Sequence, residues 1–94
     1  MSLTARMMQW VETNSDRLRR IGPVTVYRSS EAIPKPSAQL VVSAPDRLCE
    51  VIVWDSGEVE LTYGTPDDPR DEHHAIDDPG ELDRVLDRLV RLAE

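Results

Sequence analysis

Residues 48–63, LCEVIVWDSGEVELTY, limit what this chain can fold into more than any other stretch. Two runs rich in Val, Ile, Leu, Trp and Tyr flank Asp55-Ser56-Gly57, and such residues suit a pleated, half-buried surface. The break has the chemistry of a three-residue hairpin loop: Asp and Ser fold back on local backbone, and Gly57 takes φ > 0 at low cost. In the second arm Val59, Leu61 and Tyr63 alternate with Glu58, Glu60 and Thr62, which predicts one dry and one wet face. The first arm is apolar on both faces, with Leu48, Ile52 and Trp54 on one and Cys49, Val51 and Val53 on the other. It reads as an inner strand, with its partner nearer the edge.

Around this hairpin, 94 residues leave room for one domain, residues 1–94, and no second core. With only 4% aromatic residues the core must be built from Val, Leu and Ile, with a stability of about 5–10 kcal/mol. The net charge of −7 argues against nucleic acid and anionic membrane as partners, because both need a basic face. A basic protein surface remains compatible. The single cysteine, Cys49, forms no internal disulfide, and mid-strand it reads as a small buried hydrophobe. No signal-like or membrane-length apolar run is present, so the expected location is cytoplasmic.

Taken in order, Leu3, Met7, Trp10, Val11, Leu18 and Ile21 mark one stripe of a helix over 3–21, interrupted near Asn14. Gly22-Pro23 ends it, with Gly22 expected in the left-handed position. Short strands are expected at 24–29 and 39–44, joined by a proline-bearing connection over 30–38. Residues 65–78 concentrate Asp67, Asp68, Asp71, Glu72, Asp77 and Asp78 against Arg70 alone. Pro66 and Pro69 predict an irregular loop there, with a short edge strand at 73–76. A helix then starts at Asp78 as N-cap with Pro79 first, and Leu82, Val85, Leu86, Leu89, Val90 and Ala93 form its apolar face. The expected fold is α+β: a four-stranded antiparallel meander with the N-terminal and C-terminal helices packed on one face. Leu48, Ile52 and Trp54 then lie on the other face beside Glu58 and Glu60, an apolar area rimmed by charge that suits a partner.

The chemistry of catalysis is sparse. Gly22, Gly57, Gly64 and Gly80 are scattered, so no phosphate loop or nucleophile elbow exists. No Cys/His array suits zinc, and the adjacent His73 and His74 face opposite ways if they lie on a strand. The expectation is a binding module without catalytic residues, metal or cofactor. Its contact residues are expected to be Asp67, Asp68, Asp71 and Glu72 of the acidic segment, with Trp54 and Glu58 beside the hairpin. Trp54 suits the core as well. Other readings are an acidic secretion chaperone or adaptor, and a small hydrolase or metal-binding domain using Asp71, His73, His74 and Asp77. The chain is expected to be a monomer or a weak homodimer.

The run Val51-Ile52-Val53-Trp54-Asp55-Ser56-Gly57-Glu58-Val59-Glu60-Leu61 resembles the I-x-V-W-E-S-G-E-x-x-L core of the TriTu family of immunity proteins. The flanks are similar in kind: an N-terminal helix with a tryptophan (Met8-Gln9-Trp10), the step Ser43-Ala44-Pro45-Asp46-Arg47-Leu48, a histidine-bearing segment and a capped final helix. The resemblance implies an antitoxin that binds a cognate ADP-ribosyltransferase toxin, one that modifies an elongation factor, and covers its NAD-binding cleft. It carries over no catalytic residue.

Overall fold

The computed structural model describes residues 2–29 and 34–94. The elements run α1 (Leu3–Thr13), α2 (Ser15–Ile21), β1 (Val24–Arg28), β2 (Ser37–Val42), β3 (Leu48–Trp54), β4 (Glu58–Thr65), β5 (Asp68–Ala75) and α3 (Pro79–Ala93). The five strands form one antiparallel sheet in sequence order. Of the connection expected over 30–38, residues 30–33 lie outside the described part.

The central hairpin folds as its residues dictate. Gly57 has φ +104 and its N–H donates to the Trp54 carbonyl at 2.9 Å. A Cβ at Gly57 would stand 2.6 Å from the Ile76 carbonyl oxygen, so space and backbone conformation both demand glycine. Pairing sets the faces. Val26, Leu40, Val51 and Leu61 form one cross-strand row, and Ala38, Val53 and Val59 the next. Leu40, Val51, Leu61, Ala38, Val53 and Val59 are all buried, and Val26 is half-buried against them. The same face meets Met7, Trp10 and Val11 of α1, Leu18 of α2, and Leu82, Leu86, Leu89 and Val90 of α3. Both terminal helical segments therefore cover one side of the sheet, as expected. Burying their apolar stripes is the main driving force for this arrangement.

Three expectations need correction. The sheet has five strands, not four, because the acidic segment pairs over eight residues: Glu58↔Ala75 through Thr65↔Asp68. The prolines do not prevent this. Pro66 sits in the two-residue turn, and Pro69 faces Gly64 on an edge strand. The bond Ile76 N–H to Gly57 O fixes the ladder phase and turns the Pro69 nitrogen outward, where no ladder donor is needed. β4 is consequently interior, and β3 is the central strand.

The N-terminal stripe forms two helices rather than one. Asn14 has φ −106 and ψ 17, and both its backbone N–H and its side-chain Nδ2 bond the Trp10 carbonyl, at 3.0 and 2.9 Å. An asparagine amide competes with the helix ladder in this way, and the chain restarts at Ser15. Gly22 is extended, with φ 170, rather than left-handed. It is needed for close approach, since a Cβ there would lie 2.2 Å from the Ser43 carbonyl oxygen.

α3 begins as expected: the Asp78 carboxylate accepts from the Gly80 N–H at 3.1 Å, with Pro79 in the first turn. Arg6 of α1 donates from Nε and Nη2 to both carboxylate oxygens of Asp83 on α3, at 3.2 and 2.6 Å. Arg17 of α2 reaches Glu94 at 3.0 Å and Asp87 at 3.4 Å. Among the described residues no helix is long and apolar enough to cross a membrane.

Candidate functional site

The face of the sheet turned away from the helices has no covering layer among the described residues. Strand register places its side chains in rows. Tyr27, Gln39, Ile52, Glu60 and His73 form one, and Thr25, Val41, Glu50, Thr62 and Asp71 the next. Trp54 ends β3 beside Ser37, and Glu58 begins β4 beside Ala75. Leu48, Val41, Ile52 and Trp54 are half-buried here, so an apolar band crosses the face with Glu50, Glu58, Glu60 and Asp71 around it.

At the hairpin end, Lys35 Nζ lies 5.3 Å from the centroid of the Trp54 ring and forms an ion pair with Glu58. The cation thus bridges an aromatic face and a carboxylate. Ser56 donates to Glu58 Oε1 at 3.4 Å. The middle of the motif serves the fold instead. Asp55 Oδ1 accepts from the Ser2 hydroxyl and from the Thr4 N–H, each at 2.9 Å, tying the loop to the first turn of α1. Burial opposes ionisation of Asp55. The Thr4 and Ser2 donors, with the charge of Arg28, outweigh it and hold the carboxyl below its usual value. Asp55 and Gly57 therefore build the loop, while Trp54 and Glu58 project from it onto the open face.

The expected site residues divide accordingly. Trp54 and Glu58 come together, and Trp54 lies outside the core. Asp71 shares their face on β5, accepting from the Thr62 hydroxyl at 3.0 Å. Asp67 occupies the β4–β5 turn, and Asp68 beside it pairs with Arg70 at 3.3 Å. Glu72 is separated from them, because neighbours on a strand face opposite ways. It lies on the helix side, accepting from the Tyr63 hydroxyl at 2.9 Å and from Arg88 Nη1 of α3 at 2.7 and 2.8 Å. His74 Nε2 is 3.1 Å away. Burial opposes its ionisation, but the bonds from His74 and Tyr63 and the charge of Arg88 hold its carboxyl below the usual range. Glu72 clamps β5 to α3.

Tyr27 and Lys35 escaped the sequence reading as members of this face. Neither carries a local signal: strand register puts Tyr27 in the row of Ile52, and Lys35, just ahead of β2, meets the Trp54 ring. His73 and His74 do face opposite ways, and no cluster of three or more metal-ligating side chains occurs among the described residues. Cys49 is buried and its thiol is pushed up to about 11 by that burial, so it is not poised as a nucleophile. What the open face can do is make contact: apolar area at its centre, carboxylates and amides at its rim.

Fold and surface together define a small acidic α+β protein with one face of its sheet uncovered among the described residues. A sequence model of the family described as immunity protein TriTu matches residues 5–92, and the chain belongs to that family. Neither a curated protein nor a solved structure matches it. Immunity protein families are generally non-enzymatic, and membership implies a protein partner, a toxin.

Proposed function

We propose that this chain neutralises its toxin by laying the open face of the sheet across the toxin's active-site cleft. The observation that carries this reading is the position of Trp54 and Glu58. The motif that typifies the family presents both on an uncovered apolar band rimmed by carboxylates. In this reading Trp54 is the central anchor, and Glu58 and Asp71 pair with arginine or lysine of the toxin. Asp67 and Asp68 sit at the sheet corner, where they raise the encounter rate with a positive surface. Glu72 acts indirectly by fixing β5.

The toxin best suited to this surface is an ADP-ribosyltransferase. A cleft that holds the pyrophosphate of NAD needs cationic and backbone donors, and an acidic face competes for the same positive potential. The chain would act in the cytoplasm, bound to the toxin before it meets NAD.

The test is co-expression of the full chain with the C-terminal toxin domain encoded by the neighbouring gene. The two should co-purify and the cells should survive. Trp54→Ala should weaken the complex by about 30-fold or more, the loss typical of a central aromatic anchor. Normal protection by a Trp54→Ala, Glu58→Lys double variant would remove the open face from the interface. Failure to bind any adjacent toxin would remove the reading altogether.

A further inference from the structure

At its hairpin end the open face is hollowed rather than flat. One step past the pair Val53↔Val59, Trp54 comes level with Glu58, which faces Ala75, and the next row on the same face is Ile52, Glu60 and His73. A hollow of about 430 Å³ lies over β4 here, lined by residues that include Trp54, Glu58, Glu60, His73 and Ala75. The small side chain of Ala75 leaves it open towards β5. Glu58 and Glu60, two positions apart on one strand, stand about 7 Å from each other, and their charges repel. One of the two is answered. Lys35, the chain's one lysine, reaches in from just ahead of β2, with its ammonium over the Trp54 ring and paired with Glu58. No hydrogen bond or ion pair engages the Glu60 carboxylate among the described residues. The backbone around Lys35 is held: Pro34 and Pro36 flank it, and the Pro36 carbonyl accepts from the Asp55 N–H at 3.0 Å. Its side chain is held lightly, 49% exposed against 54% for Glu58, and an ion pair so open to water is weak.

We propose, on the reading that the open face meets the toxin, that this hollow is a slot for one arginine side chain of that toxin, and that Lys35 occupies it as a stand-in until the toxin arrives. The occupant is a cation because the chain already places one there, over an aromatic ring and against a carboxylate. It is an arginine because the site is wider than an ammonium. Lys35 is a compact point charge and meets Glu58 alone. A guanidinium is planar and carries five donors along its edges, so it lies flat on the Trp54 ring and reaches both Glu58 and Glu60. The incoming group thus gains a carboxylate that the resident leaves unused. Release of Lys35 breaks one exposed ion pair and swings one side chain, while the bond from Asp55 to the Pro36 carbonyl keeps β2 and the hairpin in place. In the free chain the lysine covers the indole ring and offsets part of the carboxylate charge. Lys35 is therefore a competitor of the toxin and not one of its contacts.

Lys35→Ala empties the slot. It should tighten the complex of the full chain with the toxin domain by about threefold to tenfold, the combined worth of an exposed ion pair and an exposed cation–π contact, read by calorimetric titration. Arg20→Gln on α2 removes a charge on the helix side of the sheet and should leave the affinity within about twofold at physiological salt, which separates the slot from overall charge. Glu60→Gln should weaken the complex by about tenfold, the loss of one charge-assisted contact. In a Glu58→Gln background Lys35→Ala should no longer strengthen binding, a dependence that overall charge would not produce. A second measurement needs no toxin. N-acetylarginine amide, titrated at constant ionic strength, should move the indole N–H resonance of Trp54 in the Lys35→Ala chain with a dissociation constant on the order of 10 mM, while the buried Trp10 stays unmoved. N-acetyllysine amide should bind more weakly by about threefold or more. Unchanged or weaker toxin binding by Lys35→Ala overturns the proposal while the blocking role stands. So does a Trp54 signal that responds equally to both amides or to neither. A chain that binds no toxin removes the blocking role and with it the toxin's arginine, even where the amide titration succeeds, so the two failures are told apart.

Discussion

Gly57 and Trp54, three residues apart, answer to different demands. Gly57 is fixed by its backbone, at φ +104 with the Ile76 carbonyl against the space a Cβ would fill. Gly57→Ala should cost about 1–3 kcal/mol, the scale of strain at such positions, read as a lower urea midpoint with an unchanged slope. Trp54 lies half-buried on the open face, so its truncation leaves the core intact. Trp54→Ala should cost under about 1.5 kcal/mol of stability while removing most of the toxin affinity. Comparing urea unfolding with calorimetric titration of the toxin domain separates the two effects. A variant that lost both in proportion would make Trp54 a folding residue. The alternation from Glu58 to Tyr63 and the glycine requirement were legible in the sequence because strand period and φ > 0 are local properties. The bonds from Asp55 to Ser2 and Thr4 were not, since they join residues about fifty positions apart.

Among the elements, β5 is the one most at variance with its composition. An acidic, proline-bearing segment reads as a loop, yet on an edge strand half the backbone groups face solvent and a proline costs little. What holds β5 on its helix side is Glu72, fastened to Tyr63 on β4 and Arg88 on α3. This gives a pH dependence with a definite sign. Glu72 and Asp55 both have carboxyls below their usual values in the folded state. A depressed carboxyl contributes stability that is fully present above its unfolded pKa of about 4 and is lost as pH falls through the lower folded value. Urea midpoints measured from pH 7 to pH 3 should therefore be flat at first and decline below about pH 4. In Glu72→Gln the decline should be shallower and the midpoint at pH 7 already lower. Amide exchange of β5 should rise first in that variant, as expected for an edge held by few contacts. The break at Asn14 belongs to this scale too. Apolar spacing predicts one stripe, but the competing amide divides it, and Leu18 of α2 still reaches the core.

For the whole molecule, a net charge of −7 favours a positive partner, and the carboxylates gathered on the open face and at the β4–β5 turn give that charge a direction. Association with the toxin should slow by about tenfold or more as salt rises from 20 to 500 mM, with a much smaller change in dissociation, measured by stopped-flow fluorescence. A rate indifferent to salt would mean the acids serve solubility alone. By itself the sequence determined the class of fold, the hairpin and the final helix. All of these follow from periodicity, capping and residue chemistry within a few positions of one another. The fifth strand, the split of the first helix, the placement of Glu72 on the helix side and the gathering of Tyr27, Lys35, Trp54 and Glu58 on one face were decided by the tertiary structure. Which side of a sheet a residue occupies, and what lies opposite it, depends on pairing register and on where the helices settle, and burial of the whole core sets both.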